Sequence, residues 1–308
     1  MKMEKVTLIG LGAMGSFFAP RLLEGLKEGN FRVLAEGARK ERLETEGVTI
    51  NGVNYKFPIV EPGESGEPAD LVIMAVKEPA LDQAIRDIAN QVGKHTQILC
   101  VMNGIESEER VAAVYGWDHV LYSFMRIFIV MDHGVADFNP DGGFVHFGEK
   151  NNAVYSERVE AIREVFDHCR IPYKINTDMI HGMWFKFMCN VGENMTCALL
   201  GIPFGAFRTM ESANILRRAA MEEVAAIAQK LGIDLGEKEI QKQEGVIMKL
   251  PVANKPSTLQ DLEHGRKTEL EMFSGTVLRL GEKLGVDTPV NRVLYHGIKV
   301  LEAKNEEK

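Results

Sequence analysis

The run Ile9-Gly10-Leu11-Gly12-Ala13-Met14-Gly15 narrows the fold more than any other stretch of the chain. Three glycines fall in G-x-G-x-x-G spacing, directly after the apolar run Val6-Thr7-Leu8-Ile9 and at the mouth of a helical pattern. A strand that turns through such glycines into a helix is the first half of a βαβ unit. Gly10 permits the tight turn, Gly12 lets a pyrophosphate approach the backbone, and Gly15 lets helix and strand pack closely. The first amides of the helix and its dipole then attract the phosphates. Gly10, Gly12, Ala13, Met14 and Gly15 are therefore the expected dinucleotide-binding turn.

The pattern downstream agrees with that opening. Residues 6–10, 31–37, 69–77 and 97–104 read as strands, with helices over 16–29 and 79–93. Continuous apolar strands alternating with helices imply a parallel sheet covered on both faces. Residues 120–138 and 142–150 suggest further strands, antiparallel at the edge of that sheet. Near residue 176 the pattern changes to long amphipathic helices, among them 211–232 and 268–285, each stopped by glycine. The expected fold class is α/β: a Rossmann dinucleotide-binding domain over 1–176, followed by an all-helical domain over 177–308. Pro20 lies inside the first predicted helix, where it should cost a hydrogen bond to the Ser16 carbonyl and bend the axis.

Composition excludes several classes. The 308 residues carry 36 Lys and Arg against 44 Asp and Glu, a formal net charge of -8, with no long basic run. Phosphate contacts dominate nucleic-acid affinity, so no nucleic-acid partner is expected. No stretch approaches the ~20 apolar residues of a membrane span, and the apolar N-terminal run is too short for a secretory signal. The cysteines, Cys100, Cys169, Cys189 and Cys197, form no C-x-x-C pair and no zinc spacing, so no metal is expected. Free thiols fit a reducing, cytoplasmic setting. Helices with more apolar face than one core requires fit a homodimer.

Three residues follow predicted strands of the first domain. Glu36 lies 21 residues after Gly15, where an acidic side chain accepts hydrogen bonds from ribose hydroxyls and repels a 2′-phosphate. That favours NAD(H), although Arg39 and Lys40 lie close by and could bind such a phosphate. Lys77 ends the third strand and Asn103 the fourth, both at carboxyl ends, where open parallel sheets bind ligands.

In the helical half, "WFKFMCNVGEN" places Lys186, Asn190 and Asn194 at i, i+4 and i+8, on one side of a helix that is otherwise apolar. A snorkelling lysine beside two exposed asparagines is the bland alternative. The chemical reading is sharper. Hydride delivery to a ketone makes an alkoxide that needs a proton, and a partly buried lysine is a suitable general acid. A second polar cluster, 254–271, holds Asn254, Ser257, Asp261, Arg266 and Glu269; from spacing alone it is a loop and a helix start with Ser257 as N-cap.

Taken together, "GLGAMG", "AVK" at 75–77, "NG" at 103–104, "WFKFMCNVGENMTCALLG" at 184–201 and "PSTLQDLEHGRKTELE" at 256–271 resemble the ketopantoate reductase (2-dehydropantoate 2-reductase) family. The resemblance runs from residue 5 to about 295. It implies Lys186 as proton donor and Glu269 as the carboxylate that contacts the substrate hydroxyl. It further implies Asn190, Asn194, Asn254 and Ser257 on the substrate, with Lys77 and Asn103 facing cofactor and substrate. The implied reaction is reduction of a 2-oxo acid to a D-2-hydroxy acid, ketopantoate to pantoate first, as in pantothenate biosynthesis. NADP(H) is the cofactor that many members use. Glu36 departs from the cation common near that position, and so admits an NAD-dependent, mandelate-like dehydrogenase of the same family. "GLGAMG" also resembles the opening of 3-hydroxyisobutyrate and 6-phosphogluconate dehydrogenases, which place Lys and Asn closer together. A dinucleotide sensor without turnover is the rival from another class; it would need neither Lys186 nor Glu269.

Overall fold

The computed structural model describes residues 2–132 and 134–307. The chain divides into two compact units, Met1–Met179 and Ile180–Lys308. The first is a Rossmann-type α/β unit. The second, among the described residues, is built of helices alone.

The first unit runs β1 (Val6–Ile9), α1 (Ala13–Gly25), β2 (Phe31–Leu34), α2 (Gly37–Thr45), β3 (Val48–Ile50), β4 (Val53–Tyr55), β5 (Ile59–Val60) and β6 (Ala69–Met74). It continues α3 (Leu81–Asp87), β7 (Val92–Cys100), α4 (Ser107–Tyr115), β8 (Val120–Arg126), β9 (Val130–Asp132), β10 (Val135–Asp137), β11 (Phe144–Gly148), α5 (Glu157–His168) and β12 (Tyr173–Lys174). The main sheet has eight strands in the order β12-β11-β8-β7-β6-β1-β2-β5. From β5 to β8 every pairing is parallel; β11 is antiparallel to β8.

Alternation along the strands explains why both faces are covered. On β6, Leu71 and Ile73 enter one apolar cluster with Phe17, Phe18 and Leu22 of α1. Val72 and Met74 enter the other, with Leu81, Ala84 and Ile85 of α3. Each such side chain contributes roughly 1.5–3 kcal/mol of burial.

Four expectations need correction. The 120–138 segment does not all join the sheet edge as antiparallel strand. β8 pairs in parallel with β7, while β9 and β10 leave to form a separate four-stranded sheet, β4-β3-β10-β9. The helix expected over 16–29 spans 13–25, ended by extended backbone at Leu26. The helix expected over 79–93 is broken into a 3₁₀ turn at Glu78–Ala80, α3, and a second 3₁₀ turn at Ile88–Gln91. The amphipathic stretch 268–285 is not one α-helix, because a π-turn occupies Glu271–Gly275. Pro20 is accommodated inside α1. The next carbonyl, that of Phe17, accepts a hydrogen bond of 2.6 Å from Arg21 Nη1.

The second unit contains α6 (Met179–Cys189), which begins at the junction, a π-turn at Asn190–Asn194, and α7 (Met195–Leu200). Then come α8 (Glu211–Lys230), α9 (Glu237–Ile247), α10 (Ser257–Glu263), the π-turn Glu271–Gly275, α11 (Thr276–Leu284) and α12 (Pro289–Glu306). Phe187 of α6 packs against Phe273 of the second π-turn, with ring centroids 6.4 Å apart. The two π-turns also lie against each other. No helix of the described residues is long and apolar enough to cross a membrane. All four cysteines are buried, and none is joined in a disulfide.

Candidate active site

In the first unit, the glycine turn is built as a cradle. Gly10 has φ +94°, and a Cβ there would meet the Ala75 carbonyl carbon at 2.5 Å and the Val76 nitrogen at 2.6 Å. A Cβ on Gly15 would lie 2.2 Å from the Gly10 carbonyl oxygen. Gly12 differs: nothing lies within 4 Å of the position its Cβ would take. Two glycines thus close the turn against its own scaffold, and the third leaves open space above the first amides of α1. Ala13 and Met14 form the first turn of that helix, which has no acidic residue there to oppose a phosphate. This is a site that a dinucleotide pyrophosphate fits, by donor set and by clearance.

The neighbouring strand ends are aligned with it. β2, β1, β6 and β7 are adjacent in the sheet, about 4.8 Å apart. Beyond their carboxyl ends come Glu36, the glycine turn, Lys77 and Asn103 in the same order. β1 is the strand from which the sheet grows in both directions, the switch point where such sheets bind ligands. Glu36 is the exposed N-cap residue of α2, with no side-chain capping bond. Arg39 reaches back and donates to the Leu11 carbonyl of the glycine turn. Lys40 turns away, to Glu61 at 2.7 Å. Lys77 is exposed and caps the 3₁₀ turn Glu78–Ala80. Arg110 of α4 bonds Glu78 at 3.1 Å and Asp82 at 2.5 Å, so the segments that follow Lys77 and Asn103 are braced together.

One buried group there escaped the sequence reading. Glu108, in the first turn of α4, is buried; its carboxylate accepts hydrogen bonds from Ser107 Oγ at 2.9 Å and the Ser123 amide at 3.2 Å. Burial pushes its carboxyl up to about 7. Its place in "ESEER" looks like a solvated helix start, and no local signal separates it from Glu109.

In the second unit, Lys186 sits half-buried in the last turn of α6, among buried Trp184, Phe185, Phe187 and Met188. Asn190 and Asn194 are the first and last residues of the π-turn. This differs from the uninterrupted α-helix expected. In an α-helix, four residues overshoot a full turn by about 40°. A π-turn holds more residues per revolution, so the angle between the two carboxamides differs from the one an α-helix would set. Asn190 is half-buried and Asn194 is 7 % exposed.

Asn254 is fixed through its backbone. Its carbonyl accepts from the Phe204 amide at 2.9 Å, and the Val252 carbonyl accepts from the Gly205 amide at 3.1 Å. Ser257 is exposed and is the first helical residue of α10, with Pro256 at the cap and no side-chain capping bond. The N-cap role expected for Ser257 is thus not taken; proline, whose φ suits a helix entry, precedes it. Asp261 and Arg266 bond each other at 2.8 Å across the α10 C-terminus, a structural pair. Glu269 is half-buried, two residues before the second π-turn. Its neighbour Thr268 is pinned to Glu302 of α12 through the amide at 2.9 Å and the hydroxyl at 2.7 Å. Among the described residues, no group of three or more His, Cys, Asp or Glu side chains is arranged to hold a metal ion.

Two family models match the chain. "Ketopantoate reductase PanE/ApbA" covers residues 6–152, and "Ketopantoate reductase PanE/ApbA C terminal" covers residues 178–302. A 2-dehydropantoate 2-reductase of Vibrio cholerae is 30% identical over 241 residues, 76% of this chain and 78% of that one. One from Streptococcus pyogenes is 26% identical over 304 residues, 97% of this chain and 98% of that one. Among solved structures, a D-mandelate dehydrogenase with NADH and anilino(oxo)acetate superposes with a TM-score of 0.87 at 22% identity, covering 98% of this chain and 99% of that one.

Proposed function

The chain belongs to the ketopantoate reductase family, and from that premise we propose that it reduces a 2-oxo acid to a D-2-hydroxy acid, 2-dehydropantoate to pantoate. The observation that carries the reading is Lys186, half-buried one turn ahead of a π-turn that begins and ends in asparagine. A nicotinamide cofactor held at the glycine turn supplies the hydride. Lys186 Nζ gives a proton to the oxygen that becomes the hydroxyl, and is itself left as a neutral amine. A lysine partly withdrawn from water can give a proton to an oxygen as negative charge develops on it. Asn190 and Asn194 orient the substrate without adding charge. Asn254, Ser257 and Glu269 hold its hydroxyl and carboxylate side, and Asn103 and Lys77 bridge cofactor and substrate.

For the cofactor, Glu36 supports NAD(H). Of the two nearby cations, Lys40 is engaged with Glu61, which leaves Arg39 at the glycine turn as the side chain able to receive a 2′-phosphate. Two like charges at ~4 Å repel by about 4 kcal/mol near a surface. The same acidic residue favours a second reading within the family, an NAD-dependent dehydrogenase of a bulkier D-2-hydroxy acid.

Steady-state oxidation of NADH and NADPH against ketopantoate and phenylglyoxylate separates these readings. Turnover of ketopantoate with the higher kcat/KM supports the first. Preference for phenylglyoxylate supports the second, and nucleotide binding without turnover of any 2-oxo acid overturns both.

A further inference from the structure

The second unit buries an ion pair that the reaction described above does not use. Arg217 of α8 is 0 % exposed and Glu193, inside the π-turn, is 5 % exposed. Arg217 Nη1 stands 3.4 Å from Glu193 Oε1, and Gln243 Nε2 donates to Glu193 Oε2 at 3.1 Å. Arg217 also bonds Asn214 Oδ1 at 2.9 Å and Glu244 Oε1 at 3.3 Å, and its guanidinium lies over the Phe207 ring. Beside the pair, Gly192 brings the turn against α8. A Cβ there would meet the Arg217 carbonyl oxygen at 2.9 Å and Met221 Cγ at 2.3 Å.

A π-turn inside an α-helix is rare, because the ordinary i→i−4 pattern is available to the same residues. Something outside the turn has to select it. Gly192 is two residues, about half a revolution, round from Asn190, on the opposite side of the helix. The turn is thus held from its back, by Gly192 and Glu193 on α8, while Asn190 and Asn194 face elsewhere. Relaxation to regular α-helix would rotate and advance everything after Asn190 by part of a turn. That would carry Glu193 away from Arg217 and change the angle between Asn190 and Asn194. A buried ion pair is a costly way to gain stability, but a directional one.

We propose that Glu193 and Arg217 are positioning residues that lock the π-turn in register, so that both asparagines meet the 2-oxo acid. This rests on the assignment of Asn190 and Asn194 to the substrate. The variant Glu193→Gln keeps the volume of the side chain, and leaves Arg217 its bonds to Asn214 and Glu244. A second variant, Glu193→Gln with Arg217→Met, removes both charges and guards against a fold lost to one unpaired cation.

In whichever variant keeps the parent's circular dichroism spectrum, KM for the 2-oxo acid should rise at least tenfold. kcat should change less than threefold, and NADH affinity should be unchanged. Hydrogen exchange over residues 188–196 should quicken at least tenfold, with exchange in α8 little altered. A purely structural role would lower stability without splitting KM from kcat. A KM within twofold of the parent overturns the proposal, as does unchanged exchange in the turn. The exchange measurement needs no turnover. It therefore decides the register claim even if Lys186→Ala proves fully active and the catalytic reading falls.

Discussion

The three glycines of the N-terminal turn predict two opposite phenotypes from chemically identical substitutions. Gly10→Ala forces a side chain into φ +94° and to within 2.5 Å of the Ala75 carbonyl carbon. The left-handed conformation costs roughly 1–2 kcal/mol and the backbone shift roughly 1–3 kcal/mol. At about 2–4 °C per kcal/mol for a unit of this size, melting should fall by ~5–15 °C. Gly15→Ala should also destabilise the protein, because a Cβ 2.2 Å from the Gly10 carbonyl oxygen outweighs the helix propensity that alanine adds. Gly12→Ala has open space and φ -111°, so melting should move by no more than about 2 °C. The methyl instead occupies the room left for a pyrophosphate and displaces at least one amide-to-phosphate hydrogen bond. Such a bond to a charged group is worth roughly 1.5–3 kcal/mol, or about 10–150-fold in affinity. Differential scanning fluorimetry and fluorescence titration with NADH read the two effects separately. A Gly12→Ala variant that binds NADH like the parent would refute the reasoning, as would a Gly10→Ala variant of parental stability.

Two further predictions concern charge. Glu108 keeps its proton up to about pH 7 in the folded protein against a usual 4.5, so the folded state holds a proton that the unfolded chain has released between those values. Its stabilising contribution is complete below the lower value and is lost as pH rises to the upper, by about 3 kcal/mol in all. Glu108→Gln should remove this slope: between pH 5 and pH 8 the variant's melting temperature should gain several degrees on the parent's, and a constant gap would refute the assignment. Glu36→Arg should move the NADPH-to-NADH ratio of kcat/KM upward by tenfold or more; an unchanged ratio would sink the ribose argument.

How much could be read from the string follows from how local each feature is. The glycine turn was legible because Gly10 and Gly15 answer backbone demands within a few residues or one strand over, and Gly12 leaves clearance between them. The row Glu36, Lys77 and Asn103 was legible because strand order in a doubly wound sheet fixes which loops meet. The π-turns were not: which carbonyl an amide chooses at Asn190–Asn194 is decided by Gly192 and Glu193 against α8, distant in sequence. Arg217 was equally hidden. It stands beside Arg218 in a charged helix, yet one arginine is fully buried and the other spans Glu237 and Glu244 at the surface. β9 and β10 show strand alternation, but alternation does not say which sheet a strand joins. Ser257 carries the composition of a cap, yet the helix starts at Ser257 itself behind Pro256, one residue earlier than a Ser257 cap would require.

Lys186→Ala, assayed with the 2-oxo acid that the parent turns over fastest, tests the central claim most directly. Proton donation by this side chain predicts a kcat lower by on the order of 10² or more, with NADH affinity preserved. A variant that retains the parent's kcat would contradict it.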